Sequence, residues 1–256
     1  MTRAPVSIDL NADLGEGFGR WRLTDDEGLL AVVTSANVAC GFHAGDPSTM
    51  RRVCAVAAAR GVRIGAQVAY RDLAGFGRRS MDVPPRELAD EVAYQIGALR
   101  VFAQAAGAEV AYVKPHGALY NRIVWDEAQA DAVVDGILLA GGNLPVLGLP
   151  GSAVRRAAAA ARLDFVAEAF ADRAYRADGT LVPRTEVNAV VDDVGAVVAR
   201  AVAIATERAV TAVSGERVSI DARSLCLHGD TPGAVDLVTR VRTALREFDV
   251  IIAPFV

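Results

Sequence analysis

The chain has 256 residues, 52 % of them apolar, and a formal net charge of −4. That length fits one or two domains and supplies ample side chains for a large core. A mildly acidic balance with scattered arginines excludes the basic footprint of a nucleic-acid binder.

Apolar runs alternate with helical patterns along the chain. Val6 to Leu10 reads as a first strand. Thr24-Asp25-Asp26-Glu27 has the form of a capping box and predicts a short helix through Val33. Ser35 to Cys40 is a second strand. Asp46-Pro47 then supplies an N-cap and a first-turn proline for a helix to Arg60, stopped by Gly61. Val62 to Val68 is a third strand. Pro85 to Ala106 places Leu88, Val92, Ile96, Leu99 and Ala103 on one stripe of a long helix. Val110 to Val113 is a fourth strand, Asp126 to Ala140 a helix, Pro145 to Leu149 a fifth strand and Ser152 to Ala161 a helix. Phe165 to Ala169 is a sixth strand. A polar stretch precedes a helix from Val190 to Arg208. Leu225 to Leu227 is a short strand, Thr231-Pro232 opens a last helix through Arg246, and Val250 to Ile252 is a closing strand.

Short apolar strands flanked by helices are the signature of a parallel sheet covered on both faces. No Ser/Gly/Pro-rich linker divides the chain, so one domain over residues 1–256 is expected. Seven or eight strand–helix units in this length predict an α/β fold, a (β/α) barrel with seven or eight strands, which spacing alone does not separate from an open sheet. Gly136 to Val154 is uncharged, but Gly141, Gly142, Pro145, Pro150 and Gly151 break it into helix end, strand and loops, not a membrane span. The N-terminus lacks a charged segment followed by a long apolar one, which predicts no signal peptide. Cys40, Cys54 and Cys226 have no framework spacing and fit a reducing cytoplasm.

Active sites of such folds lie at the carboxyl ends of the strands. After the first strand come Asn11, Asp13 and Glu16; after the second, Gly41 to Asp46 with His43; after the third, Gln67, Tyr70 and Asp72. Lys114-Pro115-His116-Gly117 follows the fourth, Asp172, Arg173 and Tyr175 the sixth, and His228-Gly229-Asp230 the short strand after it. All three histidines fall in this set. So does Lys114, the only lysine among 27 basic residues. A compact ammonium with an adjustable pKa is not replaceable by a guanidinium, so its retention in an arginine-rich chain points to a site.

Each piece also has a plainer explanation. Asp46 and Asp230 both precede a proline-started helix and fit N-caps. His43 alone fits a hydrogen-bonded structural histidine, Lys114 a strand-end surface residue, and Asp13 and Glu16 a capped turn. The joint placement makes the case. Histidines supply acid–base groups near neutral pH, the acids orient them, and Lys114 suits a developing oxyanion or a phosphoryl oxygen. That inventory suits amide or ester hydrolysis, or phosphoryl chemistry. There is no G-x-S-x-G elbow, and Cys40 reads either as a nucleophile or as a small buried residue. No H-E-x-x-H or C-x-x-C spacing marks a metal. Gly-Phe-Gly-Arg occurs at 17–20 and at 75–78, where glycine amides beside arginine suit an anion or form ordinary turns. No Walker A motif and no G-x-G-x-x-G follows a strand.

Several segments resemble the LamB/YcsF family: Ile8 to Glu16, Ser35 to Asp46, Gly75 to Arg79, Lys114 to Asn121, Phe170 to Tyr175, Leu181 to Arg184 and His228 to Asp230. They cover almost the whole chain in the family's order. The resemblance implies a barrel similar to that of the polysaccharide deacetylases. It implies ATP-dependent opening of the 5-oxoproline lactam to L-glutamate by the first of three subunits of a 5-oxoprolinase. The B and C partners, with ATP and Mg in the complex, are implied in the same way. Joined to the loop reading, the resemblance makes Asp13, His43, Lys114, His116 and His228 the expected catalytic groups. Asn11, Glu16, Asp46, Gln67, Arg78, Tyr120, Asp172, Arg173, Arg184 and Asp230 are the expected substrate contacts. Two positions depart from the family pattern. Ala12 stands where cysteine is frequent, and Gln67-Val68 where many members have His-Pro. Glutamine is no base and a poor transition-metal ligand, so no protein-bound metal is expected. A stand-alone metal-dependent deacetylase or amidohydrolase and a non-catalytic substrate-binding subunit remain the alternatives.

Overall fold

In the computed structural model, which describes residues 6–229 and 233–256, seven parallel strands close on themselves. They are β1 (Ser7–Leu14), β2 (Ser35–Ala39), β3 (Arg63–Val68), β4 (Val110–Pro115), β5 (Val146–Gly148), β6 (Phe165–Phe170) and, after a short antiparallel hairpin of β7 (Ala209–Thr211) and β8 (Arg217–Ser219), β9 (Ser224–Leu227). β1 pairs with β2 on one side and with β9 on the other, so the ring has no open edge. The expected count of seven or eight resolves to seven. The closing strand β10 (Ile251–Ile252) pairs only with Ser7 and Ile8 at the start of β1.

Helices α1 (Asp26–Leu30), α2 (Pro47–Ala59), α3 (Pro85–Ala105), α4 (Gly117–Arg122), α5 (Glu127–Leu139), α6 (Ala153–Ala160), α7 (Val194–Glu207) and α8 (Ala234–Glu247) connect the strands. Leu88, Val92, Ile96, Leu99 and Ala103 of α3 are all buried, as the stripe predicts. Asp46 caps α2 by accepting from Thr49 N at 2.9 Å. The main apolar core lies between strands and helices. No helix among the described residues is long and apolar enough to cross a membrane.

The barrel interior is polar. Side chains alternate along a strand, so Leu10, Ala12 and Leu14 join the outer core while Asp9, Asn11 and Asp13 contact side chains of the other strands. β1 therefore runs through Asn11 and Asp13 to Leu14, four residues past the expected end, because its backbone stays paired with β2 whatever the side chains carry. Gly65 of β3 sits beside Tyr112 of β4, and a Cβ there would overlap the tyrosine ring.

The second half departs further from expectation. α7 begins at Val194, where Asp193 accepts from Ala196 N; Val190 instead bridges to Arg173. Asp25, not Thr24, caps α1. Asp230, Thr231 and Pro232 lie outside the described residues, and α8 begins at Ala234.

Candidate active site

Lys114 ends its strand with the side chain inside the barrel, 2 % exposed. Its Nζ lies 3.0 Å from Asp13 Oδ1 and 3.1 Å from Glu168 Oε1, and donates to Asn11 Oδ1 at 3.3 Å and Cys226 Sγ at 3.0 Å. Burial alone pushes an ammonium toward neutrality, but Asp13, Cys226 and Glu168 outweigh it and hold Lys114 well above the ordinary lysine value. Burial would raise the Asp13 carboxyl, yet Lys114, His116 and His228 bring it below the usual range. Glu168, with burial dominant over Lys114, is raised. Lys114 is thus a fixed cation and not a base. Around it, Asn37 donates to Asn11 Oδ1 at 2.7 Å and Asp13 Oδ1 at 2.9 Å, and Tyr112 donates to Asn37 at 2.7 Å. Tyr120 donates to Glu168 Oε2 at 2.9 Å.

Beside this cage lies a second group. His43 and His116 stack with ring centroids 4.2 Å apart, at 20° between planes. Glu16 Oε1 is 3.9 Å from His43 Nε2 and 3.7 Å from His116 Nε2. Gln67 donates to Glu16 Oε1 at 3.1 Å, and its own Oε1 faces His43 Nε2 at 3.2 Å. Burial pushes His43 down to about 4 and His116 well below the ordinary imidazole value, so both rings are neutral near pH 7. The loop 72–79 covers them. Phe76 meets both rings edge-on, and Asp72 ties the loop by accepting from Gly75 N at 2.9 Å and Arg79 Nε at 2.8 Å. Gly117 has φ +60°, and a Cβ there would strike Gly77 O, so the two loops meet only through glycine.

A cavity of about 680 Å³ opens above the strand ends. Asp13, Lys114, His116, Tyr120, Phe170 and His228 line its floor, and Arg78, Arg122, Trp125, Arg176 and Arg184 its walls and mouth. His228 stacks on Phe170 at 5.6 Å, and its Nδ1 lies 2.7 Å from Asp172 Oδ2. The same oxygen accepts the His228 backbone N–H at 3.0 Å. Burial would raise the Asp172 carboxyl, but His228 holds it below the usual range. A carboxylate on Nδ1 fixes the Nδ1–H tautomer and leaves Nε2 as the basic nitrogen.

The sequence profile of the LamB/YcsF family matches residues 8–256. This chain belongs to the LamB/YcsF family. It is 72 % identical over 248 residues to the A subunit of 5-oxoprolinase from Streptomyces coelicolor, covering 97 % of this chain and 99 % of that one. It is 59 % identical over 250 residues to the protein of the same name from Mycobacterium avium, covering 98 % and 99 %. The crystal structure of a lactam utilization protein from Thermus thermophilus superposes with a TM-score of 0.92 at 38 % identity, over 97 % of this chain and 100 % of that one.

Within this LamB/YcsF chain the expected residues separate into groups. Asp13, Lys114, His116, His228, Arg78, Tyr120, Arg173 and Arg184 line the cavity. His43, Glu16 and Gln67 lie behind His116, and Asn11 sits deeper in the barrel against Glu168 and Ser224. Asp172 bears on His228. The Arg173 guanidinium donates to Ala189 O at 3.2 Å and Val182 O at 2.6 Å, which ties it to the backbone. Asp46 accepts from Thr49 N and Gly19 N and does not line the cavity. Asp230 lies outside the described residues. Cys40 donates to Val38 O at 3.1 Å, and burial drives its thiol far up, which removes it as a nucleophile. The first Gly-Phe-Gly-Arg forms a turn closed by Phe18 and Trp21, away from the cavity; the second brings Phe76 and Arg78 to the site. Glu168, Asn37, Tyr112, Phe170 and Trp125 were not anticipated. A lone glutamate inside the apolar run 165–169 was the available signal, since carboxylates are seldom fully buried without a partner.

Proposed function

We propose that this chain is the lactam-opening component of a 5-oxoprolinase, converting 5-oxoproline to L-glutamate with ATP hydrolysis and two partner subunits. The reading rests on one observation: a fixed ammonium, an oriented imidazole and arginines of the mouth converge on a single cavity. The names carried by the relatives at 59 % and 72 % identity support the choice of substrate.

Amide resonance makes the lactam carbonyl a poor electrophile. Transfer of the ATP γ-phosphoryl group to the carbonyl oxygen activates the ring carbon. Water then adds to that carbon, His228 Nε2 takes its proton, and the ring C–N bond breaks with the proton returned to nitrogen. The product is γ-glutamyl phosphate, which a second water hydrolyses to glutamate and phosphate. Asp172 holds the imidazole and stabilises the imidazolium. Lys114 faces the oxygen on which negative charge collects. Arg184 and Arg78 hold the substrate carboxylate.

The test is 5-oxoproline turnover with and without ATP, by this chain alone and with its B and C partners. Glutamate formation that requires ATP, this chain and the partners is expected. ATP-independent turnover by the chain alone, or full activity of a complex lacking it, overturns the proposal.

A further inference from the structure

We propose that Glu16, His43 and His116 form a binding site for one divalent first-row transition ion, with zinc as the representative. One carboxylate oxygen and two ring nitrogens lie within 4.8 Å of one another, drawn from the ends of β1, β2 and β4. All three residues are at most 5 % exposed. His43 Nδ1 and His116 Nδ1 are buried with no hydrogen-bond partner. Both Nε2 atoms face the Glu16 carboxylate, at 3.9 and 3.7 Å, and with Nδ1 unpartnered neither imidazole has both nitrogens engaged as a folded interior normally requires, so each ring has a lone pair to offer an ion once it turns.

Gln67 does not abolish this donor set. Its amide donates to Glu16 Oε1 at 3.1 Å, and its carbonyl oxygen faces His43 Nε2 at 3.2 Å. The first contact aims the Glu16 carboxylate as an outer-shell group does, and an ion taken up at His43 Nε2 replaces the second or adds the Gln67 carbonyl oxygen as a further donor. The near-parallel rings set one requirement. An ion among the three donors lies out of the plane of at least one ring until that ring turns about its Cβ–Cγ bond, a soft torsion. Two imidazoles and one carboxylate select zinc, manganese, iron(II) or cobalt(II) over calcium, which takes six or more oxygens. His116 lines the main cavity, so open coordination positions face it.

The site is tested by binding alone, which keeps its failure separate from failure of the lactam reading. The full chain is stripped with a chelator and titrated with cobalt(II), followed by visible ligand-field absorption, then by zinc competition. One equivalent of cobalt is expected, displaced by one of zinc, with a rise in Tm. Glu16→Gln and His116→Asn, each checked for folding by circular dichroism, are expected to weaken uptake roughly tenfold or more. Folded wild-type chain that takes up less than one equivalent overturns the proposal. So does uptake unchanged in both variants, or uptake that is lost in Asp172→Asn instead. If both variants fail to fold, the wild-type stoichiometry, and imidazole-nitrogen coupling in the spectrum of the copper(II)-loaded chain, decide: coupling from two rings supports the site and its absence overturns it.

Discussion

Lys114 Nζ lies 3.1 Å from Glu168 Oε1 and 3.0 Å from Asp13 Oδ1, so one ammonium is shared by two carboxylates inside the barrel. Removing one partner of a buried ion pair leaves an uncompensated charge, which costs about 3–5 kcal/mol. Lys114→Met is therefore expected to lower the melting temperature sharply. Lys114→Arg keeps the charge but forces a planar fork into a site shaped for a compact cation. It is expected to fold and to lose on the order of 100-fold in ATP-dependent glutamate formation by the reconstituted complex. Near-normal turnover by the arginine variant removes the lysine-specific role.

Asp172 touches His228 and not the cavity floor, so its replacement separates orientation from binding. Asp172→Asn is expected to lower kcat by about 10²–10⁴ while changing KM little, because the imidazole loses the carboxylate that fixes its tautomer. Steady-state kinetics of the complex with 5-oxoproline as the varied substrate provide the check. A rise in KM at unchanged kcat would instead make Asp172 a substrate ligand.

The elements most legible in the sequence were those with local chemistry. Asp46-Pro47 and Gly61 bracket α2, and the stripe from Leu88 to Ala103 faces the core. The histidine and lysine loops converge because parallel strands all end on one face. Glu168 gave only one sign of itself, a lone carboxylate in the apolar run from Phe165 to Ala169, and that sign names no partner. Its function depends on Lys114 and Asn11, 54 and 157 residues away in sequence. Gln67 is a case in the opposite direction. Judged by residue type it offers no transition-metal ligand, and that Glu16, 51 residues earlier, stands beside the two histidines is visible only in the fold. The roles of Arg173 and Arg184 were indistinguishable by type, because only the fold brings the carbonyls of Val182 and Ala189 to the former.

That difference between the arginines is measurable. Arg184 is exposed at the mouth, close enough for its charge to act on Asp172 and Arg173. Arg184→Met is expected to raise KM for 5-oxoproline by roughly tenfold, the loss of one charge-assisted contact, with an unchanged Tm. Arg173→Met is expected to destabilise the fold by about 1–3 kcal/mol, because the buried Val182 carbonyl loses its donor and Ala189 O keeps only the Ala174 N–H. Equal effects of the two on Tm would contradict the assignment.

Asp9 gives a pH dependence of stability. Burial outweighs hydrogen bonds from Ser224, Ser35 and Thr34 and raises its carboxyl from an ordinary 3.8 to about 6. The folded state therefore holds this proton more tightly than the unfolded chain. The stabilisation is complete below about pH 4, falls as pH rises, and is lost above about pH 6, an effect of about 3 kcal/mol. Urea unfolding of wild type and Asp9→Asn across that window isolates the group. The variant is expected to lack this part of the decline, and parallel pH profiles would show that Asp9 does not titrate there.

Gly65 and Tyr112 test whether the interior network positions the site. They are register partners, and a methyl group on Gly65 would overlap the Tyr112 ring. Tyr112 donates to Asn37, and Asn37 donates to Asp13, the partner of Lys114. Gly65→Ala must push the ring aside, so it is expected to cost about 1–3 kcal/mol and to reduce turnover. Tyr112→Leu alone removes the hydroxyl and also destabilises. Together the two changes relieve the overlap, so the double variant is expected to be more stable than the sum of the singles by about 0.5–3 kcal/mol. Strict additivity in urea melts would mean that the ring does not occupy the space above Gly65.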